Sequence, residues 1–369
     1  MKNSRPHPAQ RRTGAWATLL GALAVALTAC SSPSTDNDTA GHGAATTASA
    51  GSITVKDNAG RTVTFAHTAR RVVSYNSYNA ELLLALGLRK TIVGVDDTTL
   101  DRVAYGGFKK SDSVGPDYSE VNYEKVAELR PDVVIIPSSE DWQGAADHLK
   151  AFKIPVLVVT AYDAGLWNEN VALLGKLFGA QTKAAAVVKF TDGIKGLVSE
   201  RVKGLTPATV YYEDSAPNAT AGKGSPKTEV LNDVAARNVF ASRTGAGGSG
   251  LSITVDPVDI IKARPQFVFR EASNTYTGAG AADLQKVLKG LRSRTGWSAL
   301  PAVKNNEVYV YNAALVELAG RNFELLYWAK WTHPDAFKDI DPATYVKQWD
   351  AFTGADFDDS ARFIVKAGS

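Results

Sequence analysis

One cysteine and one methionine occur in 369 residues. A single thiol, Cys30, cannot close a disulfide within the chain, so the fold must be held by its core rather than by covalent staples. The histidines, His42, His67, His148 and His333 among them, are scattered, and no two have metal-ligand spacing. No apolar run is long enough for a permanent membrane span; "AWATLLGALAVALTA" stops at Ala29. No nucleophile elbow of the GxSxG type is present. "AGKGSPKT" lacks the spacing of a phosphate loop, and "GAGGSG" (245–250) precedes a strand-like stretch instead of following one, so it reads as a loop and not as a dinucleotide site. The acidic doublets Asp96-Asp97, Glu140-Asp141 and Glu213-Asp214 read as solvated loop ends rather than acid–base pairs.

What is present starts at the N-terminus. Lys2, Arg5, Arg11 and Arg12, with no acidic residue, precede the apolar run, which is the composition of an export signal over 1–29. Its last residues, Leu27-Thr28-Ala29-Cys30, resemble the lipobox of bacterial lipoproteins, which implies cleavage before Cys30 and lipidation of its thiol. Acyl chains contribute roughly 0.8 kcal/mol per buried methylene, and two of them anchor a protein durably. Residues 30–52 then form a Ser, Thr, Ala and Gly-rich spacer too poor in large apolar groups to fold. Removing the leader leaves 37 basic against 38 acidic residues. The basic balance that might have suggested nucleic acid disappears with it.

The remainder is longer than one core usually organises, and two lobes are expected. "ITVKDNAGRTVTF" predicts a β-hairpin about Asn58-Ala59-Gly60. Short β-branched segments ("RVVSYN", "TIVGV", "DVVIIP", "PVLVVT") alternate with helical ones, and a second set follows residue 205. The fold class is α/β: two lobes with mainly parallel central sheets, 53–165 and 206–369, joined through a helical segment at 166–205. Within that segment Val187, Phe190, Ile194, Leu197 and Val202 recur at helical spacing, which predicts one long connecting helix. Gly193 and Gly196 in it are expected to mark close packing against a lobe.

The pieces "DNAGRTVTF", "RRVVSYNSYNAELLLALG", "VNYEKVAELRPDVVII", "AGKGSPKTEVLNDVAARNVF" and "GWSALPAVKNNEVYV", in this order, resemble the substrate-binding lipoproteins of ABC importers for iron-siderophore complexes and cobalamin. The resemblance covers nearly everything from Ile53 onward. It implies a monomeric, non-catalytic receptor, lipid-anchored on the extracytoplasmic face, that delivers a small-molecule metal chelate to a permease dimer with a cytoplasmic ATPase, without nucleic acid and without a cofactor of its own. In that family one glutamate on each lobe docks on the permease; the matching positions are Glu124 and Glu229. Cobalamin or heme on the same scaffold, or a surface hydrolase acting on a chelator, are the alternatives. Gln266 stands where the family usually has Asp.

Ligands of open α/β sheets lie beyond the carboxyl ends of strands. That rule places Tyr75, Asn76, Tyr78, Ser138, Ser139, Trp142 and Tyr162 on one lip of a cleft, and Tyr212, Arg270, Tyr311 and Asn312 on the other. Arg321, at a helix start in "AGRNFELLY", joins them. Such an aromatic and amide-rich lining suits a bulky ligand with flat faces. Two cleft arginines, Arg270 and Arg321, would favour an anionic ferric chelate, unless each is already paired with a carboxylate.

Overall fold

The computed structural model describes residues 51–117, 119–245, 248, 250–272, 280–357 and 363–368. The leader, Cys30 and the spacer to residue 50 lie outside them, as do 246, 247 and 249 of the glycine-rich stretch. The hairpin is formed by β1 (Ile53–Lys56) and β2 (Thr62–Phe65), antiparallel, with Ile53 opposite Phe65. Asp57 organises its turn: the buried carboxylate accepts the Ala59 and Arg61 N–H groups at 3.1 and 2.9 Å and the Arg61 guanidinium at 2.6 Å. A third backbone donor, Val158 N–H at 3.2 Å, ties the hairpin to the first lobe. Partners of this kind are what make a buried carboxylate tolerable.

Strands and helices then alternate through β3 (Val72–Ser74), α1 (Ser77–Ala85), β4 (Ile92–Val95), α2 (Asp97–Leu100), α3 (Tyr123–Leu129), β5 (Val133–Ile136), α4 (Trp142–Lys150) and β6 (Val156–Val158). The four strands from β3 to β6 form a parallel sheet in the order β4-β3-β5-β6. Every residue of β3, β5 and β6 is buried, as the unbroken apolar runs of a sheet covered on both faces require.

α5 (Trp167–Leu177) and α6 (Gln181–Val202) follow. α6 is the long helix that the spacing predicts, 22 residues and roughly 33 Å from end to end. Ala184, Val187, Thr191, Ile194 and Val198 form its buried stripe, at intervals of three and four. Gly193 and Gly196 are not packing glycines. Both are exposed, and a Cβ on either would meet nothing within 4 Å, because they lie on the face of α6 opposite that stripe.

The second set comprises β7 (Ala208–Glu213), β8 (Ala219–Thr220), α7 (Pro226–Asp233), β9 (Ala236–Asn238), β10 (Ile253–Thr254), α8 (Pro257–Ala263), β11 (Phe267–Ala272), α9 (Ala281–Arg292), α10 (Pro301–Lys304), β12 (Val308–Asn312), α11 (Ala313–Val316), α12 (Leu318–Thr332), α13 (Pro342–Thr353) and β13 (Ile364–Lys366). A five-stranded sheet runs β13-β12-β11-β7-β9, parallel except for β13 at its edge; β8 and β10 pair separately. Gln266 closes the start of β11 on β7, its side-chain carbonyl accepting Thr209 N–H at 2.8 Å.

One hydrophobic cluster extends from the first sheet to the second, through α1, α5, α6, α12 and α13. Trp349 of α13 is its centre: Phe190 of α6 stacks on it at 5.8 Å and 16°, and Trp167 of α5 and Phe323 of α12 lie within 6.4 Å. The last helices of the chain therefore pack on α1 of the first lobe as well as on their own sheet. The outer faces of the two sheets carry separate clusters.

Candidate ligand-binding site

The lip of the first lobe is built at the strand ends. Asn76 follows β3 with φ 75° and caps α1, accepting Tyr78 N–H at 3.0 Å, while its own N–H donates to Asp96 at 2.8 Å. Asparagine tolerates this left-handed geometry better than most residues. The turn brings Tyr78 toward Tyr162, ring edge to ring face at 5.9 Å, and the Tyr162 hydroxyl meets the Ser139 hydroxyl at 2.8 Å. Tyr78, Ser139 and Tyr162 thus converge. Tyr75 does not join them: it points through the sheet into the cluster beneath α3 and α4, where its hydroxyl donates to the Val114 carbonyl at 2.8 Å. Trp142 opens α4 and carries the Arg61 guanidinium 4.2 Å above its ring, away from the Tyr78–Tyr162 pair.

On the second lobe, strand alternation decides which residues face the first. Along β11, Phe269 and Glu271 point to the face shared with Tyr212 and Tyr311, and Arg270 points to the other. Arg270 there pairs with Glu213 (3.6 Å), which also takes Arg294 (2.6 Å), and donates to the Ser215 carbonyl at 2.6 Å. It is 7% exposed and committed to structure. The residue presented in its place is an acid. Tyr212 donates its hydroxyl to Glu271 at 2.9 Å, Tyr311 is wholly buried against Trp328 and Trp331, and Asn312 caps α11 through Ala314 N–H.

Around Glu271 lies an ionic cluster that the strand-end rule misses. Lys227, in the first turn of α7, reaches Glu271 at 3.1 Å, Glu317 at 2.9 Å and Glu324 at 2.5 Å. Arg321 is 3.3 Å from Glu317 and from Glu324, and its Nε donates to the Tyr162 carbonyl across the lobes at 3.2 Å. A second bond across the lobes runs from the Tyr78 hydroxyl to Glu317. Burial works against the Lys227 charge, but its three carboxylates outweigh that and hold it above the ordinary lysine range. Glu317 is likewise kept below the usual carboxylate range by Arg321 and Lys227 against its own burial, whereas burial raises Glu324, the deepest of the three. Arg321 is therefore also carboxylate-paired. Of the two alternatives for the arginines, carboxylate pairing holds for both; Arg270 lies off the cleft face, whereas Arg321 lines the groove.

One sequence signal did point here: a lysine in the first turn opposes the helix dipole, so Lys227 needs an anionic partner to justify its place. Glu317 and Glu324 stand in an apolar stretch with the same implication. Arg321 itself is set by a turn with no local signature. Ala319, Gly320 and Arg321 all have φ between 52 and 67°, and Gly320 lies so close to Trp167 that a Cβ would be 2.5 Å from the indole. The buried Glu81 of α1 fixes this turn by accepting Ala319 N–H at 2.8 Å.

Between the lobes, Tyr162–Gly165 and the face of α7 enclose a groove of about 660 Å³ with Lys195 of α6 and Arg321 in its wall. Glu124 and Glu229 are both exposed in first turns, of α3 and α7; Asn122 caps the former, accepting Lys125 N–H at 3.0 Å. Among the described residues no group of three or more His, Cys, Asp or Glu is placed to hold a metal ion, and no helix is long and apolar enough to cross a membrane.

Two α/β lobes bridged by one helix and meeting at an aromatic, ionic cleft have the form of a solute receptor. The comparisons agree. The periplasmic binding protein family matches residues 72–315. The chain is 31% identical over 345 residues, 89% of its length and 100% of the relative's, to the uncharacterised ABC transporter substrate-binding lipoprotein YvrC of Bacillus subtilis. Among solved structures, the TroA-like periplasmic binding protein FepB of Veillonella parvula shares the fold with a TM-score of 0.70 and 21% identity, over 86% of this chain and 100% of that one. The molybdate-binding protein MolA of Haemophilus influenzae does so with a TM-score of 0.65 and 17% identity, over 82% and 98%. The chain belongs to the periplasmic binding protein family, as the substrate-binding component of an ABC transporter. It is a transport component and not an enzyme.

Proposed function

We propose that the protein is a monomeric receptor, held on the extracytoplasmic face of the membrane by lipid on Cys30, that captures a ferric siderophore between its lobes and passes it to a permease dimer coupled to an ATPase. The observation that carries this reading is the convergence of Tyr78 and Tyr162, with Ser139, beside a groove of about 660 Å³. The half-buried Tyr162 lines the groove, backed by Tyr78, which is itself buried under the Arg102 guanidinium; an aromatic wall with a hydroxyl rim suits a bulky chelate, and the volume falls in the range of small-molecule sites. Docking is assigned to Glu124 and Glu229, whose exposed carboxylates lie where a helix N-terminus favours negative charge.

The test has two arms. Intrinsic tryptophan fluorescence, titrated with ferric hydroxamate, ferric catecholate, ferric citrate, heme and cobalamin, should report saturable binding of a ferric chelate; saturation by heme or cobalamin alone would replace the reading with one of those ligands. In cells, Glu124→Ala should abolish uptake while the purified variant keeps its affinity, and Glu229→Ala, whose side chain also lines the groove, should lower uptake more than any loss of affinity accounts for. Uptake at the parental rate would remove both residues from the docking surface.

A further inference from the structure

The groove does not end at Arg321. Ala164, Lys195, Val230, Asp233 and Arg321 line it and also line a second space of about 240 Å³ that continues from it between α6, α7 and α12. One water occupies ~30 Å³ in the liquid, so a short chain fits there. The walls of this inner chamber are mainly apolar, with Val198 of α6, Val230 of α7 and Leu325 of α12. They are also fixed in place. Val198 and Val230 are buried in the cluster that joins the two sheets, and Arg321 is held by Glu317, Glu324 and the Tyr162 carbonyl.

A second observation points to an occupant. Asn322 of α12 belongs to the chamber wall and is 1% exposed. Its amide is fixed in orientation: Nδ2 donates to the Ala319 carbonyl of the left-handed turn, which leaves Oδ1 as the other end. That oxygen has no hydrogen-bond partner. Buried polar groups are rarely left so, and an amide oxygen with free lone pairs accepts from an N–H or O–H donor. An apolar wall with one unpaired acceptor matches a chain that is apolar along its length and carries a donor at its tip.

Resting on the ferric-chelate reading above, we propose that the chamber is a side pocket of the ligand site and receives an arm of the chelate, an alkyl chain whose terminal hydroxyl or amide N–H donates to Asn322. The body of the chelate stays in the outer groove against Tyr162. Through Val198 and Ser199 the connecting helix is then a wall of the binding site as well as the bridge between the lobes. Arg321 stands at the junction of the two spaces, where its carboxylate partners keep it from closing the passage.

One chelate with three arms tests this on the full-length protein in detergent: ferrioxamine B acylated on its amine with an acetyl, a hexanoyl or an ω-hydroxyhexanoyl group, all neutral. The hydroxyhexanoyl form should bind about tenfold more tightly than the acetyl form, and no more weakly than the hexanoyl form, because buried methylenes favour binding and the hydroxyl meets its acceptor. In Ser199→Phe, an exposed position of α6 that lines the chamber, the three forms should bind alike. A gain that survives this substitution, or a loss on adding the hydroxyl, overturns the proposal. A chelate-free readout separates it from the reading it rests on. In a Cys30→Ser background, Ser199→Cys should favour hexyl over methyl methanethiosulfonate several-fold more than Glu200→Cys does, the neighbouring position that does not line the chamber. If no ferric chelate binds yet this preference is found, the iron reading fails and the alkyl pocket stands. If chelates bind without regard to the arm and the two thiols show the same preference, the pocket fails and the iron reading stands.

Discussion

Glu81 sits inside α1 with 1% of its surface exposed, and its carboxylate accepts Ala319 N–H and the Trp349 indole N–H, both at 2.8 Å. Burial raises its pKa above the ordinary carboxylate value, more than Arg102 and the donated hydrogen bonds lower it. A carboxyl raised on folding binds its proton more tightly in the folded chain, so folding stability declines as pH climbs from about 4.3 toward the folded value. Glu81→Gln keeps an acceptor oxygen and removes the titration. Its stability, from urea unfolding at stepped pH, should fall less than the parent's as pH rises from about 4.3 toward neutrality. Parallel curves would show that Glu81 titrates normally. At this scale the sequence was only half legible. Position along the chain located the strand ends correctly, yet which of Arg270 and Glu271 faces the cleft depends on strand phase, and a one-residue shift exchanges a cation for an anion.

The elements were more transparent, because each has a local cause. Alternation about Asn58-Ala59-Gly60 marked the hairpin, and the stripe through Val187 and Ile194 marked α6. The glycines of α6 were misread, since a glycine that packs and one that merely tolerates solvent leave the same letter. With open space at both Cβ positions and ordinary helical backbone, Gly193→Ala and Gly196→Ala should each stabilise the protein by about 0.5–1 kcal/mol, seen as a higher urea midpoint with an unchanged slope. A loss of stability would mean that the helix needs those glycines to bend. The left-handed run at 319–321 was not legible at all: alanine and arginine are poor residues for it, and only the contacts with Trp167 and Glu81 impose it.

For the molecule as a whole, the strand and helix alternation on either side of α6 was enough to expect two sheets, but nothing local announces that α12 and α13 pack on α1. That packing carries a mechanical consequence. A hydrophobic cluster continuous from one sheet to the other, with Trp349 at its centre, leaves little freedom for the lobes to swing. Ligand capture should rotate them by roughly ten degrees or less, measurable from paired crystal structures or solution scattering with and without ligand. A wide opening would mean that this core parts in the free state.

The bond between Trp349 and Glu81 also sets an order of assembly. The indole that reaches the first helix lies 268 residues further along the chain, so a polypeptide emerging from its N-terminus holds a glutamate among apolar neighbours with two of its donors not yet delivered. The early part of the chain then has reason to remain loose until the segment carrying Trp349 has been made, so that folding of the first lobe waits on a distant part of the same polypeptide.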